Sequence, residues 1–411
     1  MTDPLEAAWA FLPGGWTKGV RFDVRDGRIA SIQTEIDTAS SNLVLPRVHN
    51  AHSHAFQWEM RGHSHSLSAE HADDDFWSWR NAMYALAETT DARTAERIAT
   101  ELYGHMKSAG YGSVGEFHYL HHPLKPTAGR YAMVEAHVRA AESAGLRLTL
   151  LPVAYTRGGF GKPAAGAQRR FCFQSPAEFI DYVDGMRAEF TSTNVVVGIG
   201  VHSVRAVPRE WLRPVAESGR EADVPIHIHA SEQRGELREC YEEYGTKPIR
   251  LLADEGFLGP STTIVHATHL DDGELELLAG TKTMVCACPS TERDLGDGLL
   301  RASDMLRADI PVCVGSDSHV VVDAREEMRL LELNERLRVE RRNVLTDPTR
   351  GLFRPGDVVL DWASRVGARS LGIAHGGLEV GVDWPPLVVL FKVKLELLDE
   401  VLRAFDRWLF C

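Results

Sequence analysis

The chain has 411 residues, 44% of them hydrophobic and 25% charged, with a formal net charge of −13. That charge argues against nucleic acid or an anionic membrane as the main partner. No run of 18 or more apolar residues is present to span a bilayer. The opening Met1-Thr-Asp-Pro-Leu-Glu has no basic region ahead of an apolar one, so the reading is no signal peptide and a cytoplasmic protein. The six cysteines are scattered, several in apolar runs, and read as buried reduced thiols.

Residues 9–38 show short β-like runs with turns at Pro13-Gly-Gly15 and Arg25-Asp-Gly27, which predicts a small β-domain over 1–42. Eight strand-like runs follow, at 43–48, 113–119, 147–155, 195–202, 225–230, 262–267, 283–289 and 310–317. Helix-like segments lie between them, among them 92–109, 133–145, 176–190, 209–222, 236–255 and 271–278. Such alternation predicts an α/β chain with a parallel sheet, and eight units predict a (β/α)8 TIM barrel over 43–375. Many runs end in a reactive side chain, as that fold requires of its catalytic face: His52 and His54, Glu116 and His118, His202, His229, His266 and Asp317. A doubly wound open sheet would not need chemistry on so many strands. After Asn334, Arg336, Arg338, Arg341 and Arg342 predict a basic, solvated helix face. Residues 376–411 read as a short, atypical C-terminal segment that packs on the small domain or the barrel. It holds a strand in Pro385-Pro-Leu-Val-Val-Leu390 and an amphipathic helix over 394–409.

Three His-x-His motifs occur where composition predicts about one. The pair His52 and His54 ends an apolar run, and i, i+2 side chains share one face of a strand, about 6–7 Å apart. His229 and Asp317 end two further runs. Together these four are candidate ligands for one divalent metal, zinc by choice, with iron, manganese or nickel as alternatives. No lysine stands at a strand end to bridge a second ion. His227 lies one layer deeper on the same face as His229 and reads as buried support. Glu232 follows His229 as His-x-x-Glu, close to the metal without being a ligand, and suits a proton shuttle. His266 suits polarisation of water or an oxyanion. His63, His65, His71, His121 and His122 read as loop residues.

The order His-x-His, His-x-x-Glu, His and Gly-Ser-Asp resembles the mononuclear deaminases of the amidohydrolase superfamily. Further segments resemble its formimidoylglutamate deiminase family: Asn50-Ala-His-Ser-His-Ala-Phe-Gln57, Phe76-Trp-Ser-Trp-Arg80, Glu116-Phe-His-Tyr-Leu-His-His122, His202-Ser-Val-Arg-Ala206, Val265-His-Ala-Thr-His269, Ser290-Thr-Glu-Arg-Asp-Leu-Gly-Asp-Gly298 and Gly315-Ser-Asp-Ser-His319. The resemblance implies zinc ligands at His52, His54, His229 and Asp317, and catalysis by Glu232 and His266, with Asp317 also a base. It implies that Gln57, Arg80, Tyr119, His202 and Arg205 hold the glutamate part of the substrate. Arginine forks suit carboxylates, which supports that last group on physical grounds. Two departures stand out. Pro46-Arg-Val-His49 replaces the family's Pro-Gly-Met, and Gly381-Val-Asp-Trp-Pro lacks its Ala-Asp pattern.

The implied reaction turns N-formimidoyl-L-glutamate and water into N-formyl-L-glutamate and ammonia, in histidine degradation, by a cytoplasmic homodimer. Two other readings use the same metal residues. One is a deaminase of a guanine-like or pterin-like heterocycle, for which so many cationic partners are superfluous. The other is a non-catalytic metal-binding protein, which has no need of Glu232 or His266.

Overall fold

The computed structural model describes residues 4–62, 76–125, 129–381, 387–390 and 398–410. His63, His65 and His71 lie outside the described residues. The centre is a ring of parallel strands: Val48–Ser53, Tyr111–His118, Arg147–Ala154, the pair Val195–Val197 and Ile199–Val201, Ile226–Ala230, Thr262–His266, Met284–Ala287 and Val312–Val314. Each pairs in parallel with its neighbour in chain order. The ring closes between its first and last strands. There Asp317 N–H donates to the His52 carbonyl at 3.0 Å and His54 N–H to the Asp317 carbonyl at 3.2 Å. This is a (β/α)8 barrel, as the alternating runs predict.

Gly315 makes that closure possible. A Cβ there would stand 2.7 Å from His52 Cβ and 2.9 Å from its backbone nitrogen, so only glycine lets the last strand approach the first. At the opposite end of the barrel, Ser370 and Leu371 form a floor. His227 Nε2 bonds the Ser370 carbonyl at 2.7 Å, and the Thr149 hydroxyl donates to the Leu371 carbonyl at 2.9 Å. His227 is therefore buried support, one layer below His229.

The helices cover the ring for ordinary reasons. In Ala92–Ser108 the buried residues Ala95, Ile98, Ala99, Leu102, Tyr103 and Met106 fall on one helical stripe. Asp91 caps that helix by accepting from Thr94 N–H at 2.8 Å. Asp271 and Glu274 form a reciprocal capping box on Asp272–Thr281. The segment read as one helix over 236–255 is two, Arg234–Tyr244 and Pro248–Asp254, because Gly245 adopts a left-handed φ of +70° and Pro248 starts the next helix.

A second sheet has five strands, ordered Leu387–Leu390, Asn42–Leu45, Leu5–Leu12, Gly15–Arg25 and Arg28–Gln33. One expectation is corrected here. The run at 43–48 is not a single barrel strand. Asn42–Leu45 pairs in parallel with Leu5–Leu12 and antiparallel with Leu387–Leu390, and the first barrel strand begins only at Val48. Pro46, which has no N–H to donate, separates the two. Leu43 and Leu45 join the barrel core while Val44 joins Ala7, Ala10, Val20, Phe22 and Ile29 on the other face, the period-two alternation of a strand. The run at 195–202 is likewise broken at Gly198.

The C-terminal helix, Leu398–Phe410, buries Val401, Ala404, Phe405 and Leu409. It lies on the helices Ala324–Val339 and Pro355–Asp361. Phe405 also meets the Trp16 ring edge-on at 5.1 Å, so this helix touches both the barrel and the small sheet. The reading of a solvated basic helix is corrected in part. Arg341 and Arg342 are exposed but lie past the helix, which ends at Val339, and on its inner face Glu327, Glu332 and Glu335 are fully buried. Arg336 and Arg338 neutralise two of them, at 2.7 and 2.5 Å. No helix among the described residues is long and apolar enough to cross a membrane.

Candidate active site

The first strand delivers His52 and His54 to the C-terminal mouth of the barrel, the fifth delivers His229, and the turn after the eighth delivers Asp317. The Nε2 atoms of His52 and His54 stand 3.1 Å apart, and those of His229 and His52 2.9 Å apart. Asp317 Oδ1 lies 3.5 Å from His52 Nε2 and 3.4 Å from His54 Nε2. His54 Nδ1 bonds the Phe117 carbonyl at 3.0 Å, and His229 Nδ1 the His202 carbonyl at 2.9 Å. A carbonyl only accepts, so each Nδ1 carries the proton and each Nε2 presents a bare lone pair inward.

Lone pairs facing one another at this distance repel unless a cation lies between them. A tetrahedral ion with bonds of about 2.0–2.1 Å would set its ligand nitrogens about 3.3 Å apart, close to what is seen. Burial keeps the imidazoles neutral, with His52 driven down to about 3 and His54 and His229 also lowered. Asp317 stays ionised: burial opposes its charge, but the surrounding histidines, His52 foremost and then His266 and His54, hold its carboxyl below the usual carboxylate range. Three neutral imidazoles and one carboxylate fit a single divalent ion.

The cage is braced from behind. Asn50 joins the first and last strands, donating to Ser316 Oγ at 2.7 Å and accepting from Ser316 N–H at 3.0 Å. His319 spans Ser316 Oγ and Ser53 Oγ at 2.9 and 3.2 Å. His266, Asp317 and His319 all hold left-handed φ values of +73°, +46° and +65°. Strain of this kind persists where the surroundings over-determine the backbone, and it gathers at functional sites.

Beside the cage, Glu232 Oε1 lies 3.6 Å from His266 Nε2, which is 3.7 Å from Asp317 Oδ2. Burial raises the Glu232 pKa, with His266 and Arg205 pulling the other way. Burial works against a charge on His266, yet Glu232, Glu292 and Asp317 together push it up to about 10.

Of the residues expected to hold substrate, Arg205 is buried with Nη2 3.3 Å from Glu232 Oε2. Gln57 donates to the Tyr119 hydroxyl at 2.9 Å, and the Tyr119 ring meets those of His54 and His202 at 5.1 and 5.7 Å. His202 also stands 5.2 Å from the His229 ring. Arg80 lies over Tyr84, at 5.4 Å, and feels the charges of Arg205 and Glu232. Arg205 and Arg80 thus stand by Glu232, and Gln57, Tyr119 and His202 by the His54 and His229 rings.

Other strand-end residues do not join it. Glu116 is structural: it accepts from Ser53 Oγ and Ala55 N–H, each at 2.8 Å, and from the Tyr103 hydroxyl at 3.0 Å. His118 packs against His121 and His137. His121 is in a loop as expected, but it is buried, with Nε2 bonding the Val153 carbonyl at 2.9 Å, because aromatic rings surround it. His122 Nε2 bonds the Cys172 carbonyl at 2.9 Å.

Two residues without an assigned role in the sequence stand at the site. Glu292 Oε1 lies 3.4 Å from His266 Nδ1 and accepts from Cys288 N–H at 2.8 Å. Asp297 lies beside Glu232 and His266, and burial and the Glu232 carboxyl push it up to about 9. Both fall in the segment 290–298, whose pattern resembles the family but carries no spacing that assigns a role.

A metal cage of this kind on the C-terminal mouth of a (β/α)8 barrel defines a metal-dependent hydrolase. The chain belongs to the amidohydrolase family, whose pattern matches residues 43–397. It is 38% identical over 412 residues to the formimidoylglutamate deiminase of Pseudomonas aeruginosa, an alignment covering 98% of this chain and 89% of that protein. A 5-methylthioadenosine/S-adenosylhomocysteine deaminase of Halobacterium salinarum is 28% identical, over 86% of this chain and 74% of its own. Among solved structures, an amidohydrolase from Brucella melitensis superposes with a TM-score of 0.91 at 35% identity, covering 100% of this chain and 91% of that one. A zinc-bound adenosine deaminase from Xanthomonas campestris shares the fold, with a TM-score of 0.80 at 18% identity over 99% of this chain and 88% of its own.

Proposed function

We propose that this chain hydrolyses N-formimidoyl-L-glutamate to N-formyl-L-glutamate and ammonia, as a cytoplasmic homodimer in histidine degradation. One observation carries the reading. His266 stands within 4 Å of both Glu232 and the cage residue Asp317, with Arg205 paired to Glu232 at 3.3 Å. A protein that merely stored an ion would have no use for that array. The likeness to the Pseudomonas aeruginosa enzyme supports the same substrate.

The residues that would hold the ion are His52, His54, His229 and Asp317, and zinc suits them best. Bound there, it would lower the pKa of water towards neutrality. Asp317 accepts the proton of the attacking water. Glu232 carries a proton to the departing nitrogen, a task that its raised pKa favours. His266 steadies charge on the new oxygen. Arg205 and Arg80 take the two substrate carboxylates, with Gln57, Tyr119 and His202 supplying hydrogen bonds and shape.

Elemental analysis of the purified protein is expected to give about one divalent ion per chain. A ratio near two, or an unchanged ratio in His229→Ala, contradicts the cage. The function itself is tested by coupled ammonia release from formimidoyl-glutamate, formimidoyl-aspartate, guanine and pterins. Formimidoyl-glutamate should lead by about 100-fold or more, the discrimination expected of a site that pairs buried charges with its substrate. Faster release from a heterocycle would instead make the chain a nucleobase-type deaminase.

A further inference from the structure

Asp297 is a buried acid beside the catalytic pair that the proposed reaction leaves unused. It sits in Leu295-Gly-Asp-Gly298, just after the helix Pro289–Asp294. Gly296 and Gly298 have φ of +65° and +139°, and the second is a conformation that side chains other than glycine's rarely permit. The chain therefore turns on both sides of the aspartate. Asp297 N–H donates to the Glu292 carbonyl at 2.9 Å, and the Gln233 side-chain amide donates to Asp297 Oδ1. Its other oxygen, Oδ2, is shut off from solvent and has no hydrogen-bond partner among the described residues. A carboxyl oxygen each of Asp297 and Glu232 and a ring nitrogen of His266 all lie within 4.8 Å of one another.

A buried carboxyl oxygen without a partner costs about 1–3 kcal/mol, and because burial and Glu232 raise the Asp297 pKa, this carboxyl takes on its charge when a cationic donor arrives beside it. A second metal ion suits the place poorly. The Arg205 guanidinium already bonds Glu232, and the Gln233 amide already holds the first Asp297 oxygen. The amidine end of the proposed substrate suits it well. Protonated, it is a cation with N–H donors in a plane, and this corner of the site is rich in buried carboxyl groups: Glu232, Glu236, Glu292 and Asp297.

We propose that Asp297 accepts a hydrogen bond from the terminal amidinium nitrogen, the one that leaves as ammonia, and thereby selects an amidinium over a neutral end on the same skeleton. The inference rests on the amidine-hydrolysis reading given above. The balance is R–NH–CH=NH2+ plus H2O giving R–NH–CHO plus NH4+, with one C–O bond formed and one C–N bond broken. The positive charge departs with the ammonium. The formyl product no longer offers Asp297 a donor at that point, so the contact holds substrate more strongly than product.

The test compares inhibition by N-carbamimidoyl-L-glutamate, which ends in a guanidinium, with inhibition by N-carbamoyl-L-glutamate, which ends in a neutral urea. The proteins are the metal-loaded wild type, Asp297→Asn and Asp297→Ser. The wild type should prefer the guanidinium by about tenfold or more, the scale of one charge-assisted hydrogen bond. Both variants should lose that preference while keeping their metal, their melting temperature and their affinity for the urea. Gln233→Leu, which removes only the amide that aims Asp297, should lose part of it. A variant that keeps the wild-type preference overturns the proposal, and so does a wild type with none. Loss of metal or of fold in both Asp297 variants assigns the residue to the scaffold and also overturns it. A wild type that binds neither compound and releases no ammonia from formimidoyl-glutamate overturns the dicarboxylate reading itself, a result distinct from the others.

Discussion

Glu232→Gln is expected to keep its metal and lose turnover by about 100-fold or more, the usual contribution of a positioned acid–base group. The substitution is nearly isosteric. It leaves an acceptor oxygen for Arg205, now at 3.3 Å, and leaves the backbone N–H of residue 232 donating to Glu236 Oε2 at 3.1 Å. What it removes is the proton. Burial raises the Glu232 pKa, which favours a carboxyl that holds and hands on a proton, and an amide can do neither. The loss should therefore fall on kcat, with little change in the affinity for a dicarboxylate inhibitor. Metal analysis and single-turnover ammonia release check both halves. Near wild-type turnover in a metal-replete variant would move the proton duty to another acid of the site, such as Asp317 or Asp297.

The barrel and the convergence of four candidate ligands were legible in the sequence because both follow from periodicity. Apolar runs of strand length ending in His, Asp or Glu put those side chains at one mouth of a parallel barrel, and His52, His54, His229 and Asp317 do converge there. The boundary between the two sheets was not legible. Residues 43–45 are apolar throughout, and the side chains of Leu43 and Val44 serve different cores, a distinction that hydrophobicity cannot carry. Pro46 was the one local sign of the break. The arginines at 336 and 338 misled for a related reason. Spacing of three or four residues pairs charges on any helix, and only the tertiary fold shows that Glu332 also accepts the N–H groups of Val344 and Leu345 from below. Glu292 stayed silent because its helix, Pro289–Asp294, is too short to show a period, and Asp297 because it reaches the site through a glycine-bent loop. The place of Asp297 depends on φ values at Gly296 and Gly298 and on no repeat in the sequence.

Arg205→Met should lower kcat/KM by about 30- to several-thousand-fold, corresponding to roughly 2–5 kcal/mol for loss of one partner in a buried charge-assisted contact. The structure gives this residue two tasks. Its guanidinium is buried close to the site where substrate carboxylates are proposed to bind, and it also pairs with Glu232. Both consequences can be separated. Loss of the substrate contact raises KM for formimidoyl-glutamate and weakens dicarboxylate inhibitors alike. Loss of the pair with Glu232 removes an attraction that lowers that carboxyl's pKa, so its pKa should rise further and the proton-transfer limb of the pH–rate profile should move upward. Methionine fills much of the volume without the charge, and the metal should remain, since Arg205 is not among the cage residues. Arg205→Lys keeps the charge but not the fork, and should recover the pH profile more fully than the affinity. Wild-type kinetics in Arg205→Met, or a wild type that favours an uncharged amidine, would leave the buried guanidinium as a partner for Glu232 alone and remove the physical ground for a dicarboxylate substrate.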